Sequence, residues 1–148
     1  MKSLHLAGPD DIEKLLPMVA ALHEETGLPS NDDHRREAVV PLLEGAPHGA
    51  IWLIGPRRAP VGYICISFGW SIEFGGLEGR IIEVFVRQAV RGRGMGTEAV
   101  YEIAKALKQG GVTALHLQVA PEDERNRRLF ARAHFVERTD ELLMTLPL

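Results

Sequence analysis

A glycine-rich turn with fixed neighbours constrains this chain more than any other feature. The apolar run Ile81 to Val86 reads as a buried strand and Arg91-Gly92-Arg93-Gly94-Met95-Gly96 follows it. An amphipathic helix then opens with Val100, Ile103, Ala104 and Leu107 on one face. Gly110-Gly111 ends that helix, and Val112 to Val119 reads as the next strand. A strand, a helix and a strand in this order form a crossover unit, so the two strands are expected to be parallel. The turn also carries chemistry. Glycines let the backbone come close to a ligand, the first N–H groups of the helix have no partner inside it, and the helix dipole favours negative charge there. A phosphate or pyrophosphate is the expected guest.

Upstream, Ile12, Leu15, Leu16, Val19 and Leu22 recur at helical spacing behind Asp10 and Asp11, which can cap a helix, and Gly27 can end it. Pro17 is expected to disturb this helix. A shorter helix is expected from about Asp33 to Leu43, starting at Asn31 or Asp32, with Pro41 near its end. Ala50 to Ile54 and Val61 to Phe74 read as strands of a hairpin, separated by Gly55-Pro56-Arg57-Arg58-Ala59-Pro60. Gly75, Gly76 and Gly79 mark a turn before the strand Arg80 to Val86. After the crossover, Glu122 to Ala133 reads as a helix and Glu137 to Leu146 as a final strand. The expected fold is α/β, with a mixed, mostly antiparallel central sheet, helices on both faces and one parallel βαβ unit.

The 148 residues suit one domain spanning 1–148, large enough to hide roughly 70% of its unfolded surface. A formal charge of −3 gives no reason to expect nucleic acid or an anionic membrane as partner. Positive charge is local, at Arg87, Arg91 and Arg93 around the turn and at Arg125, Arg127, Arg128 and Arg132 further on. The single cysteine, Cys65, reads as a small core residue and excludes an intrachain disulfide. Met1-Lys2-Ser3-Leu4-His5 has no apolar signal core and no stretch is long enough for a membrane span, so a cytoplasmic protein is expected. His and Cys do not cluster at ligand spacing, so no metal is expected.

The turn fits neither of two familiar phosphate motifs. It lacks the Gly-Lys-Ser/Thr end of a Walker loop, and in a G-x-G-x-x-G reading from Gly92 the third glycine falls on Thr97. What fits is Arg-x-x-Gly-x-Gly, Arg91 to Gly96, and here the chain resembles the Gcn5-related N-acetyltransferases (GNAT), with a lean toward polyamine and related small-amine acetyltransferases. The resemblance implies acetyl-CoA as co-substrate and a strand before the loop that bulges and splays from its parallel neighbour. It places Phe85, Val86 and Arg87 in the cofactor site. Backbone N–H groups of Arg91, Gly92, Arg93, Gly94, Met95, Gly96 and Thr97 would hold the pyrophosphate. The family's later signature is kept in frame but altered. Asp123 stands for Asn, Asn126 for Ala, Leu129-Phe130 for Leu-Tyr and His134-Phe135 for Gly-Phe. Phe130 cannot replace the hydroxyl with which the family's Tyr protonates the departing sulfur.

Amine acetylation needs a neutral amine, and an alkylammonium has a pKa near 10.4, so a base or water relay is required. Glu83, alone among apolar residues beside the expected thioester, is the leading candidate; its competing role is a structural ion pair with Arg80, Arg87 or another strand. Glu73 is the second candidate, with a solvent-facing role as its competitor. Water, His134 or Tyr63 can supply the acid. Trp70, Phe74 and Tyr63 can line an acceptor pocket or serve as core or interface. Glu24, Glu25, Asp32 and Asp33 can attract a cation or simply be solvated, and the arginines of Glu122 to Ala133 can reach the 3′-phosphate of CoA or form an exposed face. The expected function is acetyl transfer to a primary amine of a small molecule by direct attack. The alternative is a non-catalytic acyl-CoA-binding sensor or interaction module of the same fold, and a homodimer is left open.

Overall fold

The computed structural model describes residues 4–148, so Met1 to Ser3 of the N-terminal reading lie outside the described residues. Its strands are β1 (Leu4–Leu6), β2 (Gly49–Ile54), β3 (Gly62–Ser71), β4 (Gly76–Val86) and β5 (Ala114–Leu117). Its α-helices are α1 (Ile12–Thr26), α2 (Asp32–Leu43), α3 (Met95–Gln109) and α4 (Glu124–Arg132). The strands form one sheet in chain order, antiparallel from β1 to β4 and parallel between β4 and β5. This is the expected mixed α/β fold with the crossover unit β4–α3–β5.

Alternation along the strands divides the core between the two faces of the sheet. Ile51, Leu53, Tyr63, Cys65 and Phe85 face α1 and α2, packing with Leu15, Met18, Val19, Val39 and Leu43. Ile54, Ile64, Ile66 and Ile81 face the other side, against Val100 and Ile103 of α3 and Phe130 of α4. Gly27 ends α1 in the left-handed conformation at φ 72°, and Asn31 caps α2 by accepting from the His34 N–H at 2.8 Å.

One irregularity positions the site. Across β3 and β4, Cys65 pairs with Glu83 but Ile66 pairs with Ile81, so Ile82 is an extra residue on β4. A bulge of this kind bends the strand and resets its alternation. Ile81 packs on the α3 face, and beyond the bulge Val84 and Val86 do the same while Phe85 packs on the α1 face. Glu83 therefore shares the α1 face with Tyr63 and Phe85. Without Ile82 out of register it would point to the opposite side. The β4–β5 ladder runs from Glu78↔Ala114 to Ile81↔Leu117 and stops there, so beyond Ile81 β4 has no β5 partner.

Three expectations are corrected, and one strand is added. Glu137 to Leu146 forms no strand: its first five residues are polar, no neighbouring strand pairs with it, and Arg138 instead ties the segment to Glu73 at 3.1 Å. The turn between β3 and β4 lies at residues 72–75, and Gly79 sits inside β4, where a Cβ would come within 3.1 Å of Leu115 and 3.2 Å of Ile66. Close packing, not a turn, accounts for that glycine. Pro17 does not interrupt α1; its side is exposed, so water can satisfy the one carbonyl that loses its partner. Strand β1 was not read from the sequence, its three residues being too short for any periodicity.

The ladder next to the bulge has no room for a side chain at Gly62, where a Cβ would lie 2.1 Å from the Phe85 carbonyl oxygen. Gly62→Ala should cost about 1–3 kcal/mol, read as a lower denaturant midpoint. Gly69→Ala, whose nearest neighbour is Glu78 Oε2 at 3.7 Å, should stay within about 0.5 kcal/mol of the parent. Equal midpoints for the two variants would show that this close approach is not as drawn.

Candidate functional site

Glu83 is held from two sides on the α1 face. The Tyr63 hydroxyl donates to Oε1 at 2.8 Å, and Nε2 of His23 lies 2.7 Å from Oε2. The competing ion pair with Arg80 or Arg87 does not form; Arg87 instead donates through Nε to the Pro60 carbonyl at 3.3 Å. Tyr63 is fully buried on β3, its ring tilted against Phe85 with centroids 6.1 Å apart. His23 stands in the last turn of α1 and continues the buried stripe of Leu15, Leu16 and Val19. Its Nδ1 is 2.7 Å from Ser30 Oγ, and Arg35 of α2 donates to that same oxygen at 2.9 Å and to the Ser30 carbonyl at 2.7 Å.

A guanidinium only donates, so Ser30 Oγ must accept from Arg35. With a neutral imidazole, Ser30 then donates to Nδ1 and Nε2–H donates to Glu83. The hydrogen-bonded chain Arg35, Ser30, His23 ends at a carboxylate that already accepts from Tyr63. Burial, and then the Glu83 charge, push the Tyr63 phenol well above its ordinary pKa, so Tyr63 stays a phenol and is a poor acid for a leaving group. Burial, and then Glu83, push the Cys65 thiol up to about 12. A thiol in that state is no nucleophile at neutral pH.

The divergence of β4 from β5 opens a cleft of about 730 Å³, whose walls include Glu83, Phe85 and Val86 on one side and Leu117, Gln118 and Val119 on the other. Leu129 and Phe130 of α4 and the end of α1 complete it. At one end lies the glycine turn. Gly92 and Gly94 have φ of 81° and 79°, a left-handed backbone that glycine adopts without strain, and they turn the chain into α3. Gly96 lies in the first turn of α3, where a Cβ would meet Leu129 at 3.3 Å and Val86 at 3.7 Å. Helix N-terminus, strand end and α4 thus meet closely. On the outer side of the turn, Gly92, Gly94, Thr97, Glu98, Tyr101 and Arg132 line a shallower hollow of about 600 Å³.

The loop arginines have different surroundings. Arg91 donates through Nε to the Val86 carbonyl at 2.6 Å and through Nη2 to both Glu25 oxygens at 2.7 and 2.9 Å, with its guanidinium 5.5 Å from the Phe85 ring centre. It fastens the end of α1 to the turn. Arg93 is exposed. On α4, Arg132 reaches the outer hollow and Arg125 the cleft, whereas Arg127 pairs with Glu137 at 2.8 Å.

The other sequence candidates are dispersed. Glu73 lies in the turn at the tip of the β3–β4 hairpin, paired with Arg138, while Glu83 lies opposite Cys65 well along the ladder; the fold does not bring the two carboxylates together. Trp70 and Phe74 are at that tip and exposed, away from the cleft-lining residues. Of the acidic group, Glu25 faces the cleft but is paired with Arg91, and Asp32 is paired with Arg36 at 2.9 Å. Phe130 is buried and packs edge-on to Phe135 with ring centres 5.7 Å apart. His134 ends α4 at φ 72°, a left-handed position that explains why a glycine suits it. His23, Ser30 and Arg35 were missed as site residues. The available signal was a histidine four residues after Val19 on an apolar helix face. Among the described residues no helix is long and apolar enough to cross a membrane, and no cluster of His, Cys, Asp or Glu is placed to hold a metal ion.

Residues 16–135 match the model of the acetyltransferase (GNAT) family. No curated protein matches the chain. Among solved structures it is similar to an integron cassette protein from the mobile metagenome of Cole Harbour Salt Marsh, at 31% identity and TM-score 0.84, covering 99% of this chain and 90% of that one. It is similar in fold to a possible acetyltransferase from Clostridium difficile 630, at 18% identity and TM-score 0.85, covering 98% and 97% of the two chains. The ribosomal-protein-alanine N-acetyltransferase of Brucella melitensis biovar Abortus 2308 also shares the fold, at 15% identity and TM-score 0.76, covering 98% and 97%.

The state of Cys65 can be read directly. Raising its pKa from 9.0 to about 12 leaves on the order of 10³ less thiolate at pH 8. A chromogenic disulfide reagent at pH 8 should react with the denatured chain at once and with the folded chain at least about a hundredfold more slowly. Similar rates would mean that the cysteine is neither buried nor raised as described.

Proposed function

The chain belongs to the acetyltransferase (GNAT) family, and from that premise we propose that it transfers an acetyl group from acetyl-CoA to a primary amine of a small molecule by direct attack. One observation carries the reading: the only carboxylate of the Ile81 to Val86 stretch is turned into the β4–β5 cleft and held there by His23 and Tyr63. The residues present suit a CoA thioester. The turn ends in a helix N-terminus whose first N–H groups have no helical partner, a good seat for a pyrophosphate, and Arg132 beside it complements a further phosphate. Phe85 and Val86 lie on the stretch of β4 left without a β5 neighbour, with Arg87 directly after it, and they border the cleft in which an extended pantetheine arm can run.

In this reading Glu83 removes a proton from the bound ammonium. The amine nitrogen attacks the acetyl carbonyl carbon, a backbone N–H near Val86 stabilises the oxyanion, the C–S bond breaks, and the second nitrogen proton passes through water to the departing thiolate. His23 and Tyr63 hold the Glu83 carboxyl group in place for that step. A thiol has a pKa near 8.5, so the thiolate leaves without a strong acid. That accommodates Phe130, with water supplying the final proton. A preference for polyamines or similar small amines fits an acidic residue at the cleft mouth, Glu25, but Arg91 offsets its charge.

The second reading, an acyl-CoA-binding module without turnover, is favoured by Phe130 alone, which fills the family's acid position with a ring buried against Phe135. A panel of primary amines with acetyl-CoA and a thiol-detecting reagent separates the two. Amine-dependent CoA release by the parent is expected, and Glu83→Gln should reduce it by about 10² to 10⁴ while CoA affinity stays nearly unchanged. Phe130→Tyr should alter turnover less than about tenfold. Activity seen only in the Phe130→Tyr variant would overturn the enzyme assignment, and full activity of Glu83→Gln would place the base elsewhere.

A further inference from the structure

The cleft beside β4 reaches both faces of the sheet, and its two ends differ in chemistry. Val86, Leu129 and Phe130 belong to the α3 face, the side of the glycine turn. Leu22 and Phe85 belong to the α1 face, the side to which Glu83 is turned. With the cofactor's phosphates at the turn, an acceptor amine meets Glu83 from the α1 side. The end of α1 and the residue after Gly27 then decide what the rest of that amine can be.

Among the described residues lining this end, the polar side chains of α1 and β4 already have partners. Both Glu25 oxygens accept from Arg91, at 2.7 and 2.9 Å. The Thr26 hydroxyl donates to the Leu22 carbonyl at 3.0 Å. The facing wall adds Gln118, a neutral amide, and Arg125 stands on α4, which packs against the α3 face. A second ammonium on the substrate would find the Glu25 charge matched by Arg91 and would have that cation beside it. A carboxylate on the carbon next to the amine would be carried against Glu83, a like charge. What this end does offer is carbon. Leu28 is 50% exposed at the cleft, its N–H fixed to the His23 carbonyl at 2.9 Å, and Leu22 and Phe85 continue the apolar wall. An alkyl or aryl body takes such a surface out of water.

We propose that the acceptor is a primary monoamine with an apolar carbon body, its nitrogen at Glu83 and its body against Leu22 and Leu28, in preference to a polyamine or an amino acid. This deepens the acetyl-transfer reading and rests on it. Leu28 is then a specificity-determining residue.

Pentylamine, cadaverine and norleucine share a five-carbon amine chain, and differ by a second ammonium or an added carboxylate. With acetyl-CoA and a thiol-detecting reagent, kcat/KM for pentylamine should exceed that for either of the others by at least about tenfold, although cadaverine has two reactive ends. It should exceed that for propylamine, two methylenes shorter, by about tenfold. Leu28→Glu should reverse the order of pentylamine and cadaverine, a reversal that loss of folding cannot produce because it lowers both rates. A second measurement needs no turnover: in methyl NMR spectra of the CoA-bound chain, pentylamine should shift the Leu22 and Leu28 signals and norleucine should leave them in place. Cadaverine or norleucine used as well as pentylamine would overturn this inference while upholding acetyl transfer. CoA release with none of the amines, but with Leu22 and Leu28 shifted by pentylamine, would overturn acetyl transfer and uphold the apolar amine as occupant. Unmoved Leu22 and Leu28 signals would overturn the inference whatever the turnover.

Discussion

Between Ile81 and Glu83 the β3–β4 ladder holds one residue more on β4 than on β3, and the side-chain alternation of β4 changes phase there. Two consequences follow from the same backbone event. Glu83 is carried to the α1 face, where Tyr63 and His23 are within hydrogen-bonding distance, and the strand bends away from β5 after Ile81. A regular ladder would put the carboxylate among Val100, Ile103 and the other apolar residues of the α3 face, with no partner for its charge. It would also continue the pairing with β5 and close the cleft. The bulge thus couples the position of the candidate base to the opening beside it.

The rest of the site depends on close approaches around that strand. Gly62 lets β3 come near the Phe85 carbonyl, and Gly96 lets α3 start close to Val86 and Leu129. Arg91 then joins β4, the turn and α1 through the Val86 carbonyl and Glu25. This is a structural use of the loop's first arginine. The helix N-terminus is left for an anion, and the Arg91 cation of the motif is already engaged. From the other side, Arg35 orders Ser30, Ser30 faces His23, and His23 faces Glu83, so the α1–α2 connection contributes to holding a strand residue.

Where the signal was local, the sequence was readable. The turn from Arg91 to Gly96, the helix after it, the parallel crossover and the lone Glu83 among apolar neighbours all depend on periodicity or on residues close in the chain. The bulge was anticipated through family resemblance but not its residue, because Ile82 looks like any other strand isoleucine. His23 was missed for a related reason: its role depends on contact with Glu83, 60 positions away. Glu137 to Leu146 shows the opposite failure. Its apolar end, Leu142 to Leu146, suits an extended backbone, yet a strand exists only where another strand accepts it, and the described residues of one chain supply none.

Amide hydrogen exchange on the folded protein, with and without CoA, tests most directly whether the divergence of β4 from β5 is the cofactor site. Slower exchange is expected at Glu83 to Val86 and at Gly92 to Thr97, with little change at the tip of the β3–β4 hairpin. CoA that binds while leaving both stretches unprotected, or that protects only residues outside the cleft, would contradict the assignment.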